Sequence, residues 1–296
     1  MQFDQLRRMA LFVQVVRYGS FSAAARAQDL ATSVLSAAVT QLEDDLGVRL
    51  LHRTTRSLSL TEVGQDYYQK CAEMLTAAET AHEMISEKSG EITGRLRIAA
   101  ASDVAEKIVL PALTPLTRDH PKLTLDLRVA DNILDMAEHQ IDLSIRSGWL
   151  RDSSLVARKL ADLHEILVAS PAYLTRHGVP HAPHDLLPLQ IIALTRLADS
   201  TQLLLQNDTG SNVKLELKTA AITDSVKISI EMAIHDFGLA RLPSYAVDDE
   251  IRSGRLLQVL SDWKLPDAGI YAVTLKRNLQ PQKVSAAIAA LGQFMA

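Results

Sequence analysis

Apolar residues in the first sixty positions recur at helical spacing in two stretches and then switch to alternation. Leu6, Met9, Val13 and Val16 share one side of a helix running from Asp4 to about Tyr18. An Ala-rich helix follows the Gly19-Ser20 turn, with Ser20 or Ser22 placed to accept an orphan backbone N–H. Asp29-Leu30-Ala31 reads as a turn, and a further helix runs from about Thr32 to Leu46 and stops at Gly47. Its residues Leu35, Val39, Leu42 and Leu46, spaced 4, 3 and 4 apart, form one apolar stripe. Leu50 to Leu60 then reads as a hairpin, with alternation at Leu58 and Leu60 and with Arg53 and Arg56 at its tip. Thr61 is a natural N-cap for a long helix reaching about Lys88, ended by Ser89-Gly90. Val63, Tyr67, Cys71, Met74, Ala78, Ala81 and Ile85 give it a near-heptad stripe that needs a partner. That partner is either the rest of the chain or, preferred here, the same helix of a second copy.

From Arg95 the pattern changes to strands alternating with helices, the signature of a parallel sheet wound with helices. Leu96 to Ala100, Leu123 to Val129 and Ile141 to Ile145 read as strands. A helix opens at Ser102, and a short one is expected from Ile133 to His139. Further strands are expected in EILVAS, LQIIAL, VKLELKTAA and GLARLP, with helices near Ala172 and Val226. A strand from Gly269 to Thr274 and a helix from Gln282 to Phe294 close the chain.

Composition is that of a soluble globular protein, with 47% hydrophobic and 22% charged residues in 296. No apolar run reaches the ~18–20 residues that span a bilayer. The start Met1-Gln2-Phe3-Asp4 lacks the basic lead of a signal peptide. The single Cys71 excludes an intrachain disulfide and fits a reducing cytoplasm. The net charge of −4 argues at first against nucleic acid. Its distribution softens that objection: through Thr61, seven arginines face five acidic residues, leaving +2 there and −6 in the remainder.

On the helix from Thr32, the face opposite the apolar stripe carries Ser33, Ser36, Ala37, Thr40 and Gln41, small uncharged groups suited to base edges in a major groove. With Ser22 and Thr32 they are the candidate base-reading residues of a helix-turn-helix spanning about 21–40. Arg53, Thr54 and Arg56 give the hairpin tip the basic, hydroxyl-rich character of a phosphate-contacting wing.

FVQVVRYGSFSAAARAQDL and VTQLEDDLGVRLLHRTTRSLSLTEVG resemble the DNA-binding domain of the LysR-type transcriptional regulators. The likeness continues through DLSIRSG, DSSLVARKL, LVASPAYLTRHG and GLARLPSY, so it covers nearly the whole chain. One departure is Ala37, where the family usually has Arg, Lys or His directly after the serine matching Ser36. The resemblance implies an α+β and α/β multidomain chain. A winged helix-turn-helix would occupy 1–61 and a linker or dimerisation helix 62–90. A periplasmic-binding-protein-like regulatory domain would occupy 91–296, with subdomain I at about 91–163 and 268–296 and subdomain II at about 164–267. It further implies a cytoplasmic homodimer or dimer of dimers on an interrupted palindrome of double-stranded DNA. A small-molecule effector would bind in the cleft, and RNA polymerase would be a partner if the protein activates.

An effector pocket in such a fold lies beyond the carboxyl ends of the strands. Ser102 sits at a helix N-terminus that favours an anion; Arg146 and Ser147 follow another strand, Thr195 follows IIAL, and Asp224 opens a helix. With Asp131 these are the candidate effector residues. Ser102 and Asp224 also read as plain N-caps, and Arg146 as a partner of Asp142. A helix N-terminus beside an arginine suits a small carboxylate. His177, His181 and His184 lie in a loop broken by Pro and Gly with nothing to orient them, so no metal or other cofactor is expected. G-x-S-x-G, G-x-x-x-x-G-K and H-E-x-x-H are absent. The chain therefore reads as a regulator rather than an enzyme. The alternatives are a ligand-binding protein whose N-terminal helices serve assembly, and an enzyme on a two-lobed fold.

Overall fold

The computed structural model describes residues 3–53, 58–87, 92–148, 155–197, 199–275 and 280–296, in two units divided between Gly90 and Glu91. The first unit contains α1 (Phe3–Arg17), α2 (Phe21–Ala27), α3 (Thr32–Leu46), the hairpin β1 (Leu51–Arg53) and β2 (Leu58–Leu60), and α4 (Glu62–Glu87). Ser20 caps α2, its hydroxyl accepting from the Ala23 N–H at 3.1 Å. Asp29 carries the turn at φ 52°, a conformation that aspartate tolerates better than most residues. Gly47 closes α3 at φ 70°. In the hairpin, Leu51 faces Leu60.

The stripe Leu35, Val39 and Leu42 meets Phe12 of α1 in a buried core shared with Leu50, Tyr68 and Cys71. The Phe12 ring stands 6.4 Å from that of Tyr68, edge on. Cys71 and Ala72 are therefore committed to their own domain, which corrects the expectation that the α4 stripe as a whole serves a second copy. Ala78 and Ala81 of the same stripe remain exposed, Val63 is 53% exposed, and the Ile85 side chain lies outside the described set. Thr61 caps α4: its hydroxyl accepts from the Gly64 N–H at 2.9 Å and donates to the Arg49 carbonyl at 2.8 Å.

The second unit is two-lobed. Lobe I is built from β3 (Gly94–Ala100), α5 (Ser102–Val104), a π-helical turn (Ala105–Val109), α6 (Leu110–Asp119), β4 (Leu123–Val129), β5 (Leu143–Gly148) and β6 (Val156–Leu163). Lobe II contains β7 (Glu165–Ala169), α7 (Pro171–His177), β8 (Gln190–Leu194), β9 (Gln202–Asn207), β10 (Asn212–Glu216) and β11 (Lys218–Thr223). It continues through α8 (Val226–Ile234), β12 (Leu239–Pro243), α9 (Ser244–Arg252), β13 (Leu257–Val259) and β14 (Trp263–Lys264). The chain then returns to lobe I as β15 (Ala268–Thr274) and α10 (Gln282–Met295). The two crossings are tied where His164 Nδ1 lies 2.7 Å from Asp267 Oδ1.

Lobe I is a sheet of order β4-β3-β5-β15-β6, and lobe II one of order β11-β8-β12-β7-β13 with a smaller β10-β9-β14 sheet. The pairs β3–β4, β3–β5, β8–β11 and β8–β12 are parallel, as the alternation of strands and helices predicts. Strands that enter from the other lobe run against their neighbours: β15 is antiparallel to β5 and β6, and β7 to β12. Both sheets are therefore mixed. Apolar runs such as Ile191-Ile192 mark strands covered on both faces, Ile191 packing with Leu203 and Ile192 with Leu242.

Two expected elements differ. No helix forms from Ile133 to His139; instead the Asp135 carboxylate takes the N–H groups of Ala137 and Glu138, both at 2.8 Å, and Gln140 ends the turn at φ 53°. VKLELKTAA is two strands rather than one, because Leu217 breaks away to bond Thr201 and passes the chain from the small sheet to the large one. Its alternation continues across the break, so the pattern conceals the change of sheet.

Candidate functional site

In the first unit, Thr32, Ser33, Ala37 and Gln41 are exposed on α3, and Ser36 and Thr40 half-buried beside them, so these positions share one surface. Ser22 is exposed at the start of α2, its hydroxyl 3.5 Å from that of the capping Ser20. Gln41 Nε2 donates to Asp45 Oδ1 at 2.9 Å, and Asp45 in turn pairs with Arg8 of α1. The outward end of α3 is thereby held by a polar chain rather than left free. Val34, 44% exposed in the first turn, adds an apolar group that the sequence reading gave no role. The side chains of Arg53, Thr54 and Arg56 lie outside the described residues.

Glu43 is the unanticipated residue of this unit. Although charged, it is only 2% exposed and faces inward from α3. Its Oε1 accepts the N–H groups of Leu50 at 2.9 Å and Leu51 at 3.1 Å, and its Oε2 accepts from Arg49 Nη1 at 2.9 Å. One carboxylate thus satisfies the backbone at the root of β1 and balances its own buried charge. The same bond raises the Arg49 guanidinium above its ordinary range. The sequence signal lay in the spacing: Glu43 stands four residues after Val39, on the apolar side of α3.

In the second unit a cleft of about 1040 Å³ opens between the lobes at the strand ends. Asp131, Arg146, Ser147 and Thr195 line it; Ser102 and Asp224 do not. Asp224 is exposed just before the Ser225 N-cap of α8. Ser102 is occupied within the chain: its N–H and its hydroxyl each donate to Asp131 Oδ1 at 3.1 Å. The helix N-terminus does hold an anion, as its dipole favours, but the anion is the protein's own carboxylate.

Three arginines of the cleft, which Lys214 also lines, differ in their pairing. Arg241 Nε donates to Glu165 Oε2 at 2.7 Å, so that pair is matched. Arg196 Nη1 lies 3.7 Å from Asp103 Oδ1 and 3.9 Å from Asp131 Oδ1, and Nη2 donates to Ser147 Oγ at 3.3 Å. Arg146 has no carboxylate partner among the described residues; its Nε reaches the neutral Ser144 hydroxyl at 3.3 Å. Burial without a counter-charge pulls its affinity for the proton below the ordinary arginine value. Asp142 is not its partner, being bound to the Arg97 N–H at 2.9 Å. Nothing in the sequence brings Arg196, Glu165 and Arg241 together. Apolar walls come from Ile133, Ile145, Leu194, Leu204 and Tyr271.

His177 stacks on Tyr173 with ring centroids 4.4 Å apart. Among the described residues, no three His, Cys, Asp or Glu side chains gather where they would hold a metal ion, and no helix is long and apolar enough to cross a membrane.

A winged helix-turn-helix and, in a separate unit, a two-lobed domain with a ligand-sized cleft together define a ligand-responsive DNA-binding regulator. Residues 6–65 match the model of the bacterial regulatory helix-turn-helix proteins of the lysR family, and residues 89–296 that of the LysR substrate binding domain. The chain belongs to the LysR family of transcriptional regulators. It is similar to the HTH-type transcriptional regulator PtxR of Pseudomonas aeruginosa, 33% identical over 98% of this chain and 93% of the relative. It is also similar to the HTH-type transcriptional activator AaeR of Escherichia coli, 31% identical over 98% and 94%. Among solved structures, the full-length Vibrio cholerae virulence activator AphB aligns with a TM-score of 0.61 at 28% identity over 100% of both chains. CrgA of Neisseria meningitidis aligns with a TM-score of 0.61 at 27% identity over 98% and 99%. PtxR, AaeR and CrgA are all named as regulators of transcription.

Proposed function

We propose that this regulator works in the cytoplasm as a homodimer or dimer of dimers, reading an interrupted palindrome through paired copies of α3 and its wing. Ser33, Ser36, Thr40 and Gln41 would meet base edges, with Val34 and Ala37 against thymine methyl groups, and Arg53 and Arg56 would hold phosphates. With no basic residue at Ala37, affinity leans on the wing and on summing phosphate contacts over two copies. Recruitment of RNA polymerase belongs to this reading if the protein activates.

The effector is a small carboxylate with an apolar body. The observation that carries this is Arg146, a half-buried guanidinium in an apolar-walled cleft with no carboxylate partner among the described residues. A bound carboxylate supplies the missing counter-charge by a bidentate pair. The effector shifts DNA binding only by as much as it prefers one lobe arrangement over another. The test is calorimetric titration of the full chain with a panel of small aromatic and aliphatic carboxylates and the amide of each. Carboxylates should bind and their amides should not, and Arg146→Gln should abolish the difference. Equal binding of acid and amide would sink the reading.

A further inference from the structure

Lobe II repeatedly reaches one short stretch of lobe I, residues 103–107, where α5 widens into the π-helical turn. Tyr245 Oη of α9 donates to Asp103 Oδ2 at 2.7 Å. Lys227 of α8 pairs with Glu106, and Asp249 of α9 with Lys107 Nζ at 2.5 Å. Arg196 reaches the same place, along with Asp131 and Ser147 of lobe I. Of these four lobe II side chains, Arg196 alone also lines the cleft.

The Arg196 tie is incomplete. Nη1 of Arg196 and Oδ1 of Asp103 are both buried without a hydrogen bond, and they are each other's nearest charged counterpart at 3.7 Å. Asp103 is 2% exposed, so bulk solvent does not reach its orphaned oxygen. Charge-assisted N–H···O bonds settle at about 2.8 Å, so an approach of roughly 1 Å satisfies both atoms. Tyr245 already holds the other oxygen of the carboxylate and fixes its orientation. Burial and the nearby Asp103 charge push the Tyr245 hydroxyl far above the ordinary tyrosine value, so it stays a donor.

We propose that Arg196 is the positioning residue of an inter-lobe latch. A small inward swing of lobe II completes the Arg196–Asp103 bond, locks the π-helical turn against α8 and α9, and holds the cleft closed. The wide turn is a fitting receiver, since π-helical turns are energetically marginal and tend to occur where function requires them. The latch rests on the effector reading only for what fills the cleft; the ligand-free chain swings between the open arrangement seen here and the latched one, so the latch is tested there.

The experiment is hydrogen exchange on the full, ligand-free chain carrying Arg196→Gln, Asp103→Asn and both. Loss of the latch should speed exchange of amides 103–109 about tenfold, the effect of one charge-assisted bond, while the β8 core amides stay unchanged. The double variant should be no faster than either single one, and Arg196→Lys should restore part of the protection. Additive effects, or unchanged exchange at 103–109, would overturn the latch and leave the carboxylate reading standing. If Asp103→Asn does not fold, Tyr245→Phe takes its place in the cycle with the same two outcomes.

Discussion

Gly64 of α4 lies against the Leu50 carbonyl so closely that a Cβ built on it would stand 2.0 Å from the oxygen. That oxygen is already engaged by the Thr61 N–H at 3.0 Å, so it is not free to move aside. The long helix and the root of the wing therefore meet backbone to backbone.

Replacing Gly64 with Ala sets two effects against each other. Alanine favours a helix interior by about 1 kcal/mol, whereas forcing apart two packed backbones costs about 1–3 kcal/mol or more. The clash wins here, because 2.0 Å is far inside contact distance and the obstacle is backbone. The transition of the N-terminal unit should fall by the order of 5–10 °C in calorimetry, with the second unit unaffected.

Glu43→Ala should strand the Leu50 and Leu51 N–H groups and leave Arg49 unpaired. Two buried unmade bonds place the loss at roughly 2–4 kcal/mol. Glu43→Gln keeps one acceptor oxygen for the two amides and should recover about half of that, measured by denaturant unfolding. If Glu43→Ala were as stable as the parent chain, the anchoring role would be wrong.

Alkaline pH should loosen the same unit through Cys71. Burial pushes its thiol from 9.0 up to about 11, and burial likewise pushes Tyr67 beside it up to about 12. A raised pKa means that the folded state keeps the proton, so this stability is whole below pH 9 and is lost as pH climbs towards 11. At about 1.4 kcal/mol for each pH unit between 9 and 11, the loss is at most about 2.8 kcal/mol. Unfolding midpoints followed from pH 8 to 11 should fall in the parent and fall less steeply in Cys71→Ala, where Tyr67 still contributes above pH 10.

The proposed DNA contacts divide by kind. Arg53→Ala and Arg56→Ala should each weaken binding to all sequences alike and reduce the salt slope by about one. Ser36→Ala and Thr40→Ala should leave the slope and change the preferred bases. Selection of bound sequences from a random pool, run at two salt concentrations, separates the two. Identical behaviour of both pairs would mean that helix and wing are misassigned.

The helices of the first unit were legible because their stripes are long and their ends are marked by Ser20, Gly47 and Thr61. The two-lobed fold was legible through its family phrases, yet the direction of β15 and the break at Leu217 were not, since alternation reports burial and not the identity of the neighbouring strand. The cleft was half legible. Arg146 and Ser147, expected just after a strand, lie in the last residues of β5 and could be placed, whereas Arg196 gains its meaning only from Asp103, far away in sequence. Ser102 misled for a physical reason: the anion its helix attracts comes from Asp131.

Because one buried carboxylate joins α3 to the root of β1, the proposed base-reading helix and the foot of the proposed phosphate-gripping wing would act as a caliper of set jaw width. Such a tool does not adjust to the duplex. A site whose grooves are the wrong width must itself be bent or compressed to fit, and the cost depends on how readily its base steps deform. Selectivity then extends to base pairs that no side chain touches, which suits a proposed reading helix with no basic residue of its own.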